Sequence, residues 1–534
     1  MKKKLFSMIA VCLALCMVLT GCAGVNFSGY FQQLGQLLGG GYLTPFEQME
    51  YSRPDMEQFN KVLEECCRQA EAETDLQDMI AIIYEFYGVF DDFYTSLALS
   101  MIHYSKDQTN TYWETEYNFC TQNSAQVDAA LDRFYRVLAK SSLREKLEGD
   151  NYFGADYFDS YDGESLYDEI FQELLRQEQE LENRYYAIIA QAGEDFGASK
   201  GFYDAYGSQI SEIFLELIRV RNAQAAHAGY DSYPEFAYEF YYNRDYTVQQ
   251  ATSYLADIDA ELSHLYWQAM RSQNISLRSS DEEETFSYVQ QTAKKLGGAV
   301  WEAFQAMEKA NVYDIGPSEN KLDASFTIYI RNYRSPYVFV NPTGTEYDHL
   351  TFAHEFGHFC KDYVAMGAGV SVDVAEVFSQ AMEYMSVIYA PEGSEVHKLK
   401  LLGSLGIYVE QAAYARFEQQ VYRLENPTAR DVEDLFSSAC FDLQLDGGWY
   451  YMLITHFFTE PMYVISYVVS NDVALQMYQM ELEEYGSGKQ CLLDNLTSTE
   501  PNFLAFLEEA GLESPFADGR IQRVRDTLQG VLNG

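Results

Sequence analysis

Proline is scarce in this chain, 11 in 534 residues, so little in the composition interrupts helices by removing a backbone donor. None of the nine cysteines forms a Cys-x-x-Cys pair, which speaks against a thiolate zinc site. Cys66, Cys67, Cys120, Cys360, Cys440 and Cys491 are scattered and give no disulfide framework for a domain this large. Basic residues are also few: 36 Lys and Arg stand against 81 Asp and Glu, a formal charge of -45. Beyond the first four residues there is no basic block. A nucleic-acid partner is therefore excluded, because phosphate binding needs clustered cations. No fixed-period repeat occurs, and after the N-terminal stretch no apolar run is long enough to span a membrane.

Helical spacing fills most of the rest. Segments such as MEQFNKVLEECCRQAEAE and TVQQATSYLADIDAELSHLYWQAMRSQ carry apolar residues three and four apart almost from residue 54 to 315. The pattern breaks at SFTIYIRNYRSPYVFVNPTGT, residues 325–345, where 326–330 and 337–340 read as two short strands. Pro336 at the start of the second is tolerated at a strand's first residue or on an edge; an edge strand could pair with an extended peptide, and a plain hairpin is the equal alternative. Helices resume over 348–364, 372–389, 395–424, 430–441, 460–484 and 518–532. The fold class expected is mainly α, with two helical lobes, 51–315 and 316–534, and a small sheet opening the second.

The N-terminus reads MKKK, then an apolar stretch, then Leu19, Thr20, Gly21 and Cys22. This resembles an export signal ending in a bacterial lipoprotein box, which implies removal of residues 1–21 and lipidation of Cys22. A Gly-rich stretch would then act as a tether, with residues 22–50 as anchor and spacer. The expected location is the extracytoplasmic side of the cell membrane, with contact through the lipid alone.

The segment DHLTFAHEFGHFCKDYV holds H-E-x-x-H at His354, Glu355 and His358. On a helix the two imidazoles share a face and Glu355 sits one residue round, within reach of a water on the same ion. Zn²⁺ suits two imidazoles and one carboxylate with a fourth position left for water. Eight histidines in the chain make an accidental match rare. Gly357, costly in mid-helix, suggests room beside a metal or substrate. A third histidine at 364 is excluded, since Lys361 and Val364 stand where Gly and His would be required. In SVDVAEVFSQAMEYM, Glu376 lies within the apolar stripe and becomes the third ligand expected, because coordination removes the cost of burying it.

HEFGH, with Glu376 placed 22 residues after the first histidine, resembles the zinc oligopeptidases related to oligoendopeptidase F and thimet oligopeptidase. RVRNAQAAHAGYDSYPEFAYEFYYNRDYT at 219–247, YRSPYVFVNPTGTEYDHLTFAHEFGH at 333–358 and THFFTEPMYVISYVVS at 455–470 resemble the oligoendopeptidase F branch. The resemblance implies two helical lobes around a deep channel that admits short, flexible peptides. It also implies that His456, Tyr463 and Tyr467 contact substrate and stabilise the transition state. Thr459 and Pro461 suggest a helix starting near 460 that would put the two tyrosines on one face. Members often carry a histidine where this chain has Lys361, a departure that bears on local packing or pH response. The function expected is zinc-dependent endopeptidase action on oligopeptides; a peptide-binding lipoprotein without catalysis is the alternative.

Overall fold

The computed structural model describes residues 43–533 apart from 150–151, 194–195, 198, 273–275, 390–394 and 446. The expected signal, Cys22 and the tether up to residue 42 lie outside the described residues. Residues 46–50, placed in the tether by sequence, instead pack on the body: Phe46 lies 4.6 Å from the Tyr337 ring and the Glu50 amide donates to the Tyr333 hydroxyl.

The chain is mainly helical. Helices α1 (Met56–Ala72), α2 (Leu76–Lys106) and α3 (Thr111–Ala139) pack on one another through a core that includes Phe59, Phe86, Phe90 and Phe134. Each begins at a side-chain cap: Asp55, Asp75 and Asn110 accept from the amides two or three residues on, satisfying donors that a helix start leaves unpaired. A second, larger core takes in α4 (Glu169–Ala192), α5 (Lys200–His227), α6 (Tyr233–Phe240), α7 (Val248–Ser272), α8 (Glu282–Leu296) and α9 (Gly298–Ala310) together with everything C-terminal to them. Helix α2 joins the two cores, since Met79 to Leu97 face the first and Ala98 to Ile102 the second.

The sheet has three strands, β1 (Tyr313–Asp314), β2 (Phe326–Ile330) and β3 (Ser335–Phe339), in the order β1-β3-β2. Strand β3 runs antiparallel to β2 and parallel to β1. The strand that carries Pro336 is thus the central one and forms a hairpin with β2, so of the readings left open the hairpin holds and the peptide-accepting edge does not. Proline is tolerated there because β1 is two residues long and pairs only with Val338 and Phe339, leaving Pro336 facing β2 alone. Among the described strands β2 is the one beside the HEFGH helix that is bonded on a single side.

After the sheet come α10 (Tyr347–Val364), α11 (Val372–Ile388), α12 (Val396–Gly406), a five-residue π turn (Ile407–Gln411), α13 (Ala412–Val421) and α14 (Ala429–Ala439). They are followed by α15 (Thr455–Thr459), α16 (Ile465–Glu483), α17 (Ser487–Asn495), α18 (Phe503–Ala510) and α19 (Arg520–Asn533). Helix α11 lies between α10 and α16, which explains why its apolar residues surround Glu376 on nearly all sides. Of the six cysteines among the described residues all are free, and all but Cys491 are buried. No helix among the described residues is long and apolar enough to cross a membrane.

Candidate metal centre

Helix α10 carries His354, Glu355 and His358 and is buried along most of its length. It approaches α11 so closely that a Cβ on Gly357 would sit 2.6 Å from the Phe378 carbonyl oxygen and 2.6 Å from Ser379 Cα. The space that Gly357 leaves is therefore filled by the neighbouring backbone, and not by a metal or substrate as the sequence suggested. That close approach brings Glu376 of α11 to the histidines of α10.

Oε2 of Glu376 stands 3.3 Å from His354 Nε2 and 3.7 Å from His358 Nε2. Ligands of one tetrahedral ion at about 2.05 Å would be about 3.4 Å apart. The three ligand atoms all lie within 4.8 Å of one another. His358 Nε2 is buried with no hydrogen-bond partner, a costly state for a polar atom unless an ion takes it up. Charge balance points the same way. The buried Glu355 and Glu376 and the partly buried Glu383 sit with the buried cation Lys400, so a divalent ion would neutralise the set when all three carboxylates are ionised. The residues present thus fit a divalent metal.

Glu383 and Lys400 were not assigned by sequence. Glu383 Oε1 is 2.8 Å from His354 Nδ1, and its Oε2 accepts from Lys400 Nζ at 3.0 Å. Such a carboxylate fixes the ring tautomer and leaves Nε2 free to ligate. Its signal was the spacing: Glu383 follows Glu376 by seven residues on the same helix face.

Burial alone would raise Glu376, but the two imidazoles and the Tyr463 phenol hold it at about 2. Burial pushes His358 down to about 4, with the Glu376 charge opposing. His354 also feels burial, yet Glu376 and Glu383 on either side carry it well above the ordinary range. Burial raises Glu355 to about 7 against the lowering by His354 and Thr327. The Thr327 hydroxyl of β2 lies 2.9 Å from both the Glu355 Oε2 and its backbone carbonyl, so the sheet steadies this carboxylate.

The tyrosine segment reaches the same place by a different route from the one expected. Thr459 ends the short α15 instead of capping a helix, Glu460 leaves the helical conformation, and α16 starts only at Ile465. Tyr463 lies in the intervening turn, where Met462 has φ of 69°, and so does not share a helix with Tyr467. Even so the rings meet, with centroids 4.9 Å apart. Tyr463 donates to Glu376 Oε1 at 2.6 Å. His456 Nε2 is 3.3 Å from the Tyr467 hydroxyl, and its ring is 5.6 Å from that of Tyr463. His354, Glu355, His358, Glu376, His456, Tyr463 and Tyr467 are thereby assembled in one buried cluster. Lys361, at the position where the resemblance leads one to expect histidine, turns away from the cluster: its ammonium donates to the Leu496 and Ser498 carbonyls over the Phe378 ring.

Comparison with known proteins locates this arrangement. Residues 46–164 match the sequence profile of the Peptidase M3 N-terminal domain, nearly the same span as the smaller core. No curated protein sequence matches the chain. Among solved structures, an oligoendopeptidase F is 20% identical with a TM-score of 0.83, covering 92% of this chain and 99% of its own. PZ peptidase A with an inhibitor gives the same identity, 20%, and TM-score, 0.83, covering 91% of this chain and 99% of its own. An oligoendopeptidase F from Bacillus anthracis strain Ames is 20% identical with a TM-score of 0.77, covering 92% and 98%. The chain is thus similar to the Peptidase M3 N-terminal domain in sequence over residues 46–164, and to oligoendopeptidase F in fold over nearly its whole length.

Proposed function

We propose that the protein is a zinc-dependent endopeptidase that hydrolyses short, unstructured oligopeptides and is tethered to the outer side of the cell membrane through a lipidated Cys22. The observation that carries the catalytic part is the convergence of His354, His358 and Glu376 within 4.8 Å, with Glu355 beside them. Zn²⁺ held by these three residues supplies Lewis acidity that polarises a carbonyl and makes water more acidic.

Glu355 acts as the general base. Thr327 holds its Oε2, leaving Oε1 to accept the proton of the attacking water and then deliver it to the departing amine. Tyr463 donates to Glu376 Oε1, with Tyr467 and His456 beside it; with substrate bound these groups would turn donors to the developing oxyanion. A donor aimed at the developing oxyanion contributes about 3 kcal/mol of transition-state stabilisation. The half-buried Tyr117 of α3 and the exposed Tyr186 of α4 lie close enough to Glu460 to feel its charge. Amphipathic walls of this kind suit an extended peptide passing between the lobes.

The test is Glu355→Gln, with zinc content and cleavage of a mixed peptide library followed on the same samples by mass spectrometry. Retained zinc with no new fragments is expected; retained cleavage would remove Glu355 from the mechanism. A zinc-loaded wild type that binds peptides but leaves them whole would favour the non-catalytic peptide-binding alternative. Anchoring is tested separately by metabolic labelling with palmitate, which Cys22→Ser should abolish.

A further inference from the structure

Arg244 follows α6 and plays no part in the chemistry above, yet its side chain has 0% exposure. The guanidinium carbon sits 4.4 Å from the Tyr238 ring and 4.2 Å from that of Tyr242. Nε faces Asp373 Oδ2 at 3.2 Å, an oxygen that also accepts from the Tyr246 hydroxyl at 2.9 Å. Nη2 donates to the Met462 carbonyl at 3.0 Å and to Ser466 Oγ at 2.8 Å. Asp373 is three residues before Glu376 in the first turn of α11. One planar side chain therefore joins the helix that carries Glu376 to the turn that carries Tyr463.

That turn needs holding. With φ of 69° Met462 adopts the left-handed region, which a methionine takes up only where its surroundings impose it. Its amide donates to Glu418 Oε1 at 2.8 Å, and the Tyr242 hydroxyl donates to the carbonyl of Pro461 at 2.7 Å. Consecutive peptide groups of the turn are thus gripped by the bend after α6 and by α13. The reversal at Met462 is what directs the following phenol to Glu376 Oε1.

We propose that Arg244 and Glu418 form a clamp on Met462 that positions Tyr463 against the metal ligand Glu376. The kinetic consequences rest on the peptidase reading, whereas the placement of the phenol does not. The experiment uses the full chain loaded with zinc and compares Arg244→Lys, Tyr463→Phe and the double variant. Lysine keeps the charge but lacks the fork that spans Asp373 and Met462. Arg244→Lys should lower kcat about 30-fold with KM within about threefold, as expected when a positioned group is displaced. The double variant should lose no more than about threefold beyond Tyr463→Phe, since coupled residues are non-additive.

Two further variants keep the clamp testable if Arg244→Lys folds poorly. Glu418→Gln retains the acceptor for the Met462 amide and should keep the rate, while Glu418→Ala should lose it. In the Arg244→Lys background, Met462→Gly should recover most of the loss, because glycine takes positive φ freely. A 3-fluorotyrosine placed at 463 reads the phenol directly: its ¹⁹F resonance should move in Arg244→Lys and Glu418→Ala and return with Met462→Gly. Multiplicative losses, absence of rescue by glycine, or an unmoved resonance would each overturn the clamp. A zinc-loaded wild type that cleaves no peptide would instead defeat the peptidase reading, and the fluorine resonance would still decide the clamp.

Discussion

Replacing Gly357 by alanine adds one methyl group at the crossing of the two helices that bring the proposed metal ligands together. Its carbon would meet the Phe378 carbonyl oxygen and Ser379 Cα at 2.6 Å, where comfortable contact is about 3.5 Å. Both obstacles are backbone, so a rotamer change does not remove them, and the helices must separate by about 0.9 Å. Over-packing of this kind costs about 1–3 kcal/mol, offset by about 1 kcal/mol gained when alanine replaces a mid-helix glycine. The net loss of stability is therefore modest. The effect on the site is larger, because ligand distances tolerate only about 0.2 Å and a misplacement of about 1 Å costs on the order of 100-fold in rate. We expect kcat/KM on a quenched fluorescent peptide to fall by about 100-fold and zinc affinity, measured against a competing chelator, by at least about 10-fold. Gly403→Ala is the control: nothing lies within 4 Å of its added Cβ, so it should leave activity unchanged. Wild-type zinc affinity and turnover in Gly357→Ala would refute the claim that this helix crossing sets the site.

Three other outcomes follow from the same geometry. Tyr463→Phe removes the donor that reaches Glu376 Oε1 at 2.6 Å and should lower kcat about 100-fold in steady-state assays while KM changes little. Lys400→Met leaves the buried Glu383 without its cation at 3.0 Å, drives it toward its protonated form and weakens its hold on His354 Nδ1; chelator competition should show zinc affinity reduced about 10- to 100-fold. Glu410, in the π turn, is raised by burial from its usual 4.5 to about 7, with the Tyr266 hydrogen bond opposing. A carboxyl raised on folding favours the folded state fully below its unfolded pKa and loses that contribution as pH rises through the folded value. Urea unfolding of the wild type should thus show a decline in stability between about pH 4.5 and 7 that is shallower in Glu410→Gln.

The three residues that the structure brings together as a candidate metal centre were legible in the sequence because they obey local rules. His354 and His358 share a helix face by spacing, and Glu376 stood out as a carboxylate within an apolar stripe, which predicts burial with a partner. Glu383 follows the same rule one heptad on, but the sequence offered no reason to prefer it over its acidic neighbours until His354 Nδ1 was seen opposite. The tyrosine turn was misjudged because Thr-x-Pro is a sound helix-start signal locally. What overrides it is a non-local clamp from Arg244 and Glu418, separated from Met462 by 218 and 44 residues. The sequence left edge strand and plain hairpin open for the Pro336 strand, and could not show it to be central, for a related reason: β1 is only two residues long and reads as no strand at all.

By itself the sequence determined the helical character, the two-strand interruption and the candidates His354, Glu355, His358 and Glu376, because each follows from periodicity or from spacing within its own helix. Only tertiary structure decided how closely α10 and α11 cross at Gly357, which strand is central, and where Tyr463 points. Those features depend on contacts between segments far apart in the chain, whose distances no local pattern encodes. The physical reason is that backbone periodicity is set by neighbouring residues, whereas the meeting of ligand, base and phenol is set by close packing of whole helices.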